Sequence, residues 1–274
     1  MTSSSPIAES VQDLARQLAS HRAFLLGWDR DGSGRRDLSL LTYRSGIPHA
    51  GFNGVVHIRG RSHDEAIAEA HRRLDGSPWL WWIGPDLDLA LTDALLARGA
   101  TEFGRLPIMA IDLTQLAPTL TPDGVEISRV GDPDEIAEFV AAYAAVSGIP
   151  PEGISTTTDC LLAFDGNTDG ELIKFTARFE GRVIGTSAAW LSNGAASVYL
   201  VTTHPEYRRL GIGTALTASA LGAGKDAGLR IGTLSASTMA ESAYRKVGFV
   251  TVAHYRLLSP SPESRRPASP QAAG

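Results

Sequence analysis

The residues best placed for chemistry lie between Val201 and Gly213, in the run VTTHPEYRRLGIG. It reads as the end of a strand, a His204-Pro205 turn, and then Arg208-x-x-Gly211-x-Gly213 opening an amphipathic helix. Such a junction aims several backbone N–H groups and the positive end of a helix dipole at one point, which suits a pyrophosphate. Glycine at 211 and 213 lets the backbone approach a ligand with no Cβ in the way. Arg208, Arg209 and Thr214 add side-chain donors. Val201, Thr202 and Thr203 lead into the turn, and Leu210 and Ile212 fill its remaining places. Downstream, Thr238-x-x-Glu241-x-x-Tyr244-x-x-x-Gly248-Phe249 reads as a short helix opened by a capping box and stopped by glycine, with Tyr244 in its middle.

Composition narrows the setting. The chain has 274 residues and a formal net charge of −5, with a pI near 5.8. That length holds one large unit or two ordinary ones, and that charge gives no electrostatic case for nucleic-acid binding. Cys160 is the only cysteine, which excludes an intrachain disulfide and fits a reducing compartment. The N-terminal stretch MTSSSPIAES is too polar for a secretory leader, and no run of about 18 apolar residues suggests a membrane span. A cytoplasmic enzyme without nucleic-acid or membrane partners is the expectation.

The elements that must position these residues follow from periodicity and punctuation. Val11, Leu14, Ala15 and Leu18 recur at helical spacing and predict a helix ending near Ser20-His21. Phe24–Trp28 and Leu38–Tyr43 read as strands around a turn at Asp31-Gly32-Ser33-Gly34. Ser62-x-x-Glu65 opens a helix, Trp79–Ile83 is a buried strand, a helix runs from Leu87 to a stop at Gly99, and Leu106–Leu113 is another strand. Residues 117–124, APTLTPDG, make a linker. A second unit then starts with strand Val125–Val130 and a helix from Asp132-Pro133. Strands Leu172–Phe179 and Arg182–Leu191 flank the turn pair Glu180-Gly181, and strand Ala196–Thr202 leads into the glycine turn. Strand Ile231–Ser235, the Tyr244 helix and strand Phe249–Leu258 complete the unit. The Pro/Ser/Ala-rich residues 259–274 read as a disordered tail.

The pattern of strand, proline, Arg208, paired glycines, apolar helix and then Tyr244 before Gly248-Phe249 resembles the acyl-CoA core of the GNAT superfamily of N-acetyltransferases. The resemblance covers Val125–Leu258 well and the first half loosely. There, Leu95–Ala100 echoes Tyr244–Phe249, and Trp79–Ile83 echoes Ile231–Ser235. It implies an α/β fold with a mixed sheet and two GNAT-like units in tandem. Residues 1–116 would form a degenerate first unit, 117–124 a linker, and 125–258 the catalytic unit. It implies acetyl-CoA as acyl donor and a small-molecule or peptide amine as acceptor, attacked directly in a ternary complex; a homodimer is left open.

The resemblance assigns roles residue by residue. The strand Tyr199–Thr203 splays from its neighbour, pairs with the pantetheine and polarises the thioester carbonyl. Val201 to Thr203 and Arg208 to Thr214 hold the cofactor. Tyr244 protonates the departing thiolate. Many members carry asparagine where this chain has Ser237, whose hydroxyl would take over that contact. No carboxylate stands on the splayed strand. Glu152 and Glu241 are therefore the candidates for a general base, unless the amine arrives deprotonated. A non-catalytic acyl-CoA-binding regulator, and an unrelated partner-binding first half, are the alternatives.

Other patterns fail. Gly224-Lys225 lacks the first glycine of a P-loop, and Gly185-Thr186-Ser187-Ala188-Ala189 lacks the last glycine of a nucleophile elbow. The seven histidines are scattered and suggest no metal site. Trp79, Trp81 and Trp82 read as core.

Overall fold

The computed structural model describes residues 7–164 and 170–261. Residues 262–274, most of the expected tail, lie outside them; Ser259 ends the last strand.

The first half runs α1 (Leu14–Gly27), β1 (Leu40–Arg44), β2 (Asn53–Ile58), α2 (His63–Leu74), β3 (Leu80–Ile83), α3 (Leu89–Ala97) and β4 (Thr101–Asp112). The second begins with β5 (Val125–Val130), α4 (Pro133–Ser147) and α5 (Ile154–Ala163), followed by β6 (Glu171–Phe179) and β7 (Arg182–Ser192). It continues with β8 (Ala195–Thr203), α6 (Ile212–Asp226), β9 (Ile231–Ser235), α7 (Glu241–Val247) and β10 (Val250–Ser259). Local chemistry sets many boundaries. Ser62 and Glu65 form the complete capping box of α2, Asp132 caps α4 ahead of Pro133, and Glu180 and Gly181, both at positive φ, make the tight β6–β7 turn.

The ten strands among the described residues join one sheet in the order β1-β2-β3-β10-β4-β9-β8-β7-β6-β5. The arrangement is nearly a palindrome. In each half an antiparallel pair (β1/β2, β7/β8) is followed by a helix and then a parallel neighbour (β3, β9). A short helix and a long strand come next (β4, β10). The long strands are exchanged: β10 pairs with β3 of the first half, β4 pairs with β9 of the second, and the two pair antiparallel with each other. These are two GNAT-like units in tandem, and the sequence echo between Leu95–Ala100 and Tyr244–Phe249 falls on the corresponding helices α3 and α7.

Both faces of the sheet are covered. Along β3, Trp82 turns to the cluster containing α1, α4 and α5, whereas Trp81 turns to the one beneath α2 and α3. That is why β3 is apolar throughout rather than alternating. The α6 side has its own cluster around Leu216, Val198 and Phe249. Helix α1 belongs to the first half but lies over the second: Trp190 Nε1 donates to Ser20 O at 3.1 Å, and the hydroxyls of Ser20 and Ser197 are 2.8 Å apart.

Two sequence expectations are corrected, and one strand is added to them. Phe24–Trp28 is the end of α1 and not a strand. Nothing between Ser20 and Gly27 breaks a helix, and Phe24 and Leu25 are buried in the cluster that α1 covers. Strand β2 has no counterpart in the sequence reading; its Asn53 is buried and bonded to three backbone carbonyls. The Thr238–Glu241 capping box does not form. Ala240 occupies the N-cap of α7, Ser237 Oγ accepts from the Ala240 N–H at 3.3 Å, and Glu241 turns to Arg245 and Thr251.

Candidate active site

The site begins at a kink in β8. Its ladder to β9 has two rungs, Ala196↔Gly232 and Ser197↔Thr233, after which the strands part. On its other edge β8 slips register against β7 between Thr186↔Thr202 and Ala188↔Tyr199. Two residues, Leu200 and Val201, thus oppose Ser187 alone, which is a β-bulge. Leu200 takes φ +53°, unusual for a side chain of its size. The Thr186 hydroxyl donates to the Leu200 carbonyl at 2.7 Å and lies 2.7 Å from the Thr202 hydroxyl, so the bulge is held from below.

Past Thr203 the chain turns through Pro205–Tyr207 and enters α6. Arg209 and Gly211 both have positive φ, at +66° and +86°. Gly211 is the N-cap of α6, and no side chain caps the helix. Its first-turn N–H groups are thereby available to an anion. Arg208 Nε donates to Thr203 O at 3.3 Å, which tethers the guanidinium to the strand end. Helix α6 is pressed onto β8: a Cβ at Gly224 would sit 2.2 Å from the Ala196 Cβ, so this glycine is required for the approach.

These elements enclose a cavity of about 370 Å³. Its walls include Val201, Thr202, Thr203, Arg208, Arg209, Gly211, Ile212, Gly213, Thr214 and Tyr244, all expected from sequence. Leu210 and Ser237, expected with them, are not part of the lining. The sequence reading misses Tyr207, Ala240, Ala243 and Val247. The three around α7 sit within a turn either side of Tyr244, and helical spacing could have found them.

Tyr244 packs edge-on against Phe249, with ring centroids 5.7 Å apart. Burial raises its pKa despite the Thr217 hydroxyl beside it, so the phenol keeps its proton at neutral pH. Neither candidate base lines the cavity. Glu152 is exposed in the turn after α4. Glu241 accepts from Arg245 at 2.6 Å and Thr251 at 2.8 Å, bonds that hold its carboxyl below the ordinary range and make it a poor base. Among the described residues, no group of three or more His, Cys, Asp or Glu could hold a metal ion. No helix there is long and apolar enough to cross a membrane.

The splayed sheet beside an uncapped, glycine-opened helix defines an acyl-CoA N-acyltransferase fold. Residues 172–251 match the family model described as an acetyltransferase (GNAT) domain. The chain is similar to a mycothiol acetyltransferase of Mycolicibacterium vanbaalenii, with 28% identity over 269 residues, 92% of this chain and 87% of that one. It is also similar to a mycothiol acetyltransferase of Cellulomonas flavigena, 28% identical over 74% of this chain, and spans 63% of that relative's length. Among solved structures, a GCN5-related N-acetyltransferase from Kribbella flavida superposes with a TM-score of 0.66 at 18% identity, covering 92% of this chain and 96% of that one. A tandem GNAT protein from the clavulanic acid biosynthesis pathway gives a TM-score of 0.60 at 15% identity, over 80% of this chain and 77% of that one. The match over residues 172–251 identifies a GNAT acetyltransferase domain in the second half of the chain, and the solved structures share its fold.

Proposed function

We propose that this enzyme transfers the acetyl group of acetyl-CoA to a primary amine by direct attack in a ternary complex. The observation that carries the reading is the opening between β8 and β9 next to the uncapped start of α6, with Tyr244 in the same cavity. The N–H groups of Gly211 to Thr214 and the Arg208 guanidinium are suited to the pyrophosphate. The N–H groups of β8 released from β9 are suited to the pantetheine and to the thioester carbonyl, where they would stabilise developing negative charge. Tyr244 then gives its proton to the departing thiolate. With no carboxylate in the cavity wall, the amine enters already neutral or loses its proton to water.

The unit bounded by 125–258 carries this chemistry, and the unit of 1–116, joined by 117–124, supports it without turnover. The acceptor is a small amine or a peptide amine. The acceptor of the mycothiol acetyltransferase relatives is one compound to include in a screen. A non-catalytic acyl-CoA-binding regulator is the rival reading, and the protonated Tyr244 favours the enzyme.

Calorimetry with acetyl-CoA, followed by an amine screen that detects free CoA thiol, tests the reading. Gly211 sits at φ +86°, and a Cβ added there would meet only Pro122 Cγ, at 3.8 Å; Gly211→Val therefore strains the turn rather than the core. The expected result is a folded variant whose melting temperature acetyl-CoA no longer raises. No acetyl-CoA binding by the natural protein would overturn the proposal.

A further inference from the structure

On the α1 face of the sheet, side chains from distant parts of the chain close around His21. The His21 Nδ1 atom is 2.8 Å from the Tyr199 hydroxyl of β8. The imidazole centroid is 4.6 Å from that of Tyr255 on β10 and 5.0 Å from that of Trp82 on β3. Trp82 is satisfied: its Nε1 donates to the Tyr43 hydroxyl at 2.8 Å, which donates onward to Gly51 O at 3.0 Å. His21 Nε2 and the Tyr255 hydroxyl are buried and have no partner, in residues only 6% and 3% exposed. Burying such a group unpaired forfeits its hydration with nothing in return. Phenylalanine at 255 would pack as well without that cost. Two unpaired polar atoms on adjoining rings point to a bound group.

Their place in the fold says which group. Tyr199 comes two residues after Ser197, the last rung to β9, and just before the Leu200 bulge, so it stands where the opening begins. Tyr255 pairs with Leu106 of β4, the strand on the other side of β9. Tyr199 and Tyr255 pack with the α1 cluster, whereas Tyr244 packs with the α6 cluster on the opposite face. The polar atoms thus lie on the side of the sheet away from Tyr244: Tyr199 stands on β8 at the edge of the opening, and Tyr255 on β10, beyond β4, is joined to it through the His21 ring.

We propose that His21, Tyr199 and Tyr255 form the polar end of the acceptor site and bind an uncharged hydroxyl of an amino alcohol or amino sugar, beside the amine that reacts. Among the described residues, Arg22 and Asp86 are the charges that act on this cluster, and they are joined in an ion pair. Burial pushes His21 down to about 3, so the imidazole is neutral, and it keeps the Tyr255 phenol protonated. A dry wall of neutral donors and acceptors penalises an ammonium or carboxylate and accepts a hydroxyl, which both donates and accepts. The inference rests on the acyl-transfer reading above and names its substrate class.

The test is CoA release by the full chain with matched amines: ethanolamine against ethylamine, serinamide against alaninamide, and glucosamine against cyclohexylamine. The hydroxylated member should be favoured in kcat/KM by roughly tenfold or more, because its absence leaves buried site groups unpaired. Tyr255→Phe should collapse that preference through the acceptor KM, with acetyl-CoA affinity unchanged and the melting temperature equal or higher. Tyr199→Phe should erode the same preference. Turnover without a hydroxyl preference, or a preference that survives Tyr255→Phe, overturns the assignment alone. A protein that binds acetyl-CoA yet releases no CoA with any amine sinks the transfer reading and this inference with it.

Discussion

The Thr186 hydroxyl donates to the Leu200 carbonyl at 2.7 Å across the β7–β8 edge, so the residue that bends the splayed strand is bonded to the strand beside it. The bond occurs where the bulge removes the regular ladder partner, which makes Thr186 part of the machinery that opens the sheet.

Thr186→Val keeps the shape and removes that donor. It leaves the Leu200 carbonyl and the Thr202 hydroxyl short of a partner, at a cost of about 1–3 kcal/mol. Thermal unfolding should show a loss of roughly 2–4 °C for each kcal/mol. Acetyl-CoA affinity should fall with it, since the kink presents the released N–H groups. Unchanged affinity in calorimetry would uncouple the bulge from the ligand.

Tyr244→Phe retains the ring and its contact with Phe249. Stability and acetyl-CoA affinity should hardly move, while kcat falls by something on the order of 10²-fold. Undiminished turnover with a good acceptor would reduce Tyr244 to a packing residue.

One acetyl-CoA should bind per chain. In the first half β2 also parts from β3 after two rungs, but the helix that follows opens differently. Ser62 caps α2 and the Glu65 carboxylate folds back onto the Ser62 N–H, so donors are already satisfied and the end carries negative charge. Leu95 stands on α3 where Tyr244 stands on α7. Isothermal titration giving two equivalent sites would contradict this.

His21 makes folding sensitive to mild acid. Its folded pKa, about 3, lies below the ordinary value of 6.5, so the folded state refuses a proton that the unfolded chain accepts. The stability this contributes is present above pH 6.5 and is lost as pH falls toward 3, with a slope of about 1.4 kcal/mol per pH unit. Urea midpoints measured across this range should show a flatter profile for His21→Gln. Parallel profiles would show that His21 is not buried in solution.

What could be read from the sequence was what is local in it. The glycine turn, the α6 start and the Tyr244 helix follow one another closely, and caps and punctuation bound them, so ten of the twelve residues expected from sequence fall in one cavity wall. Helix α5, which carries Ser155, Thr156, Thr157 and Thr158 in succession, has little helical signal and is held by packing that includes Leu161 and Cys160 in the core. The exchange of β4 and β10 left no trace, because strand partners are chosen by shape and burial across the whole chain. The His21–Tyr255 contact was equally hidden: a lone histidine on a helix has no partner that spacing can name.

The exchanged strands bear on how the protein holds together. Each half lends the other the strand that completes its sheet, much as two subunits of a swapped dimer would, but inside one chain. Severing the chain within 117–124 would leave two fragments, each with an unfilled slot and a strand lacking its natural berth. The cavity wall comes entirely from the second fragment, yet β9 beside it has β4 of the first as its other partner, so the order of the cleft depends on a strand that the second fragment does not own.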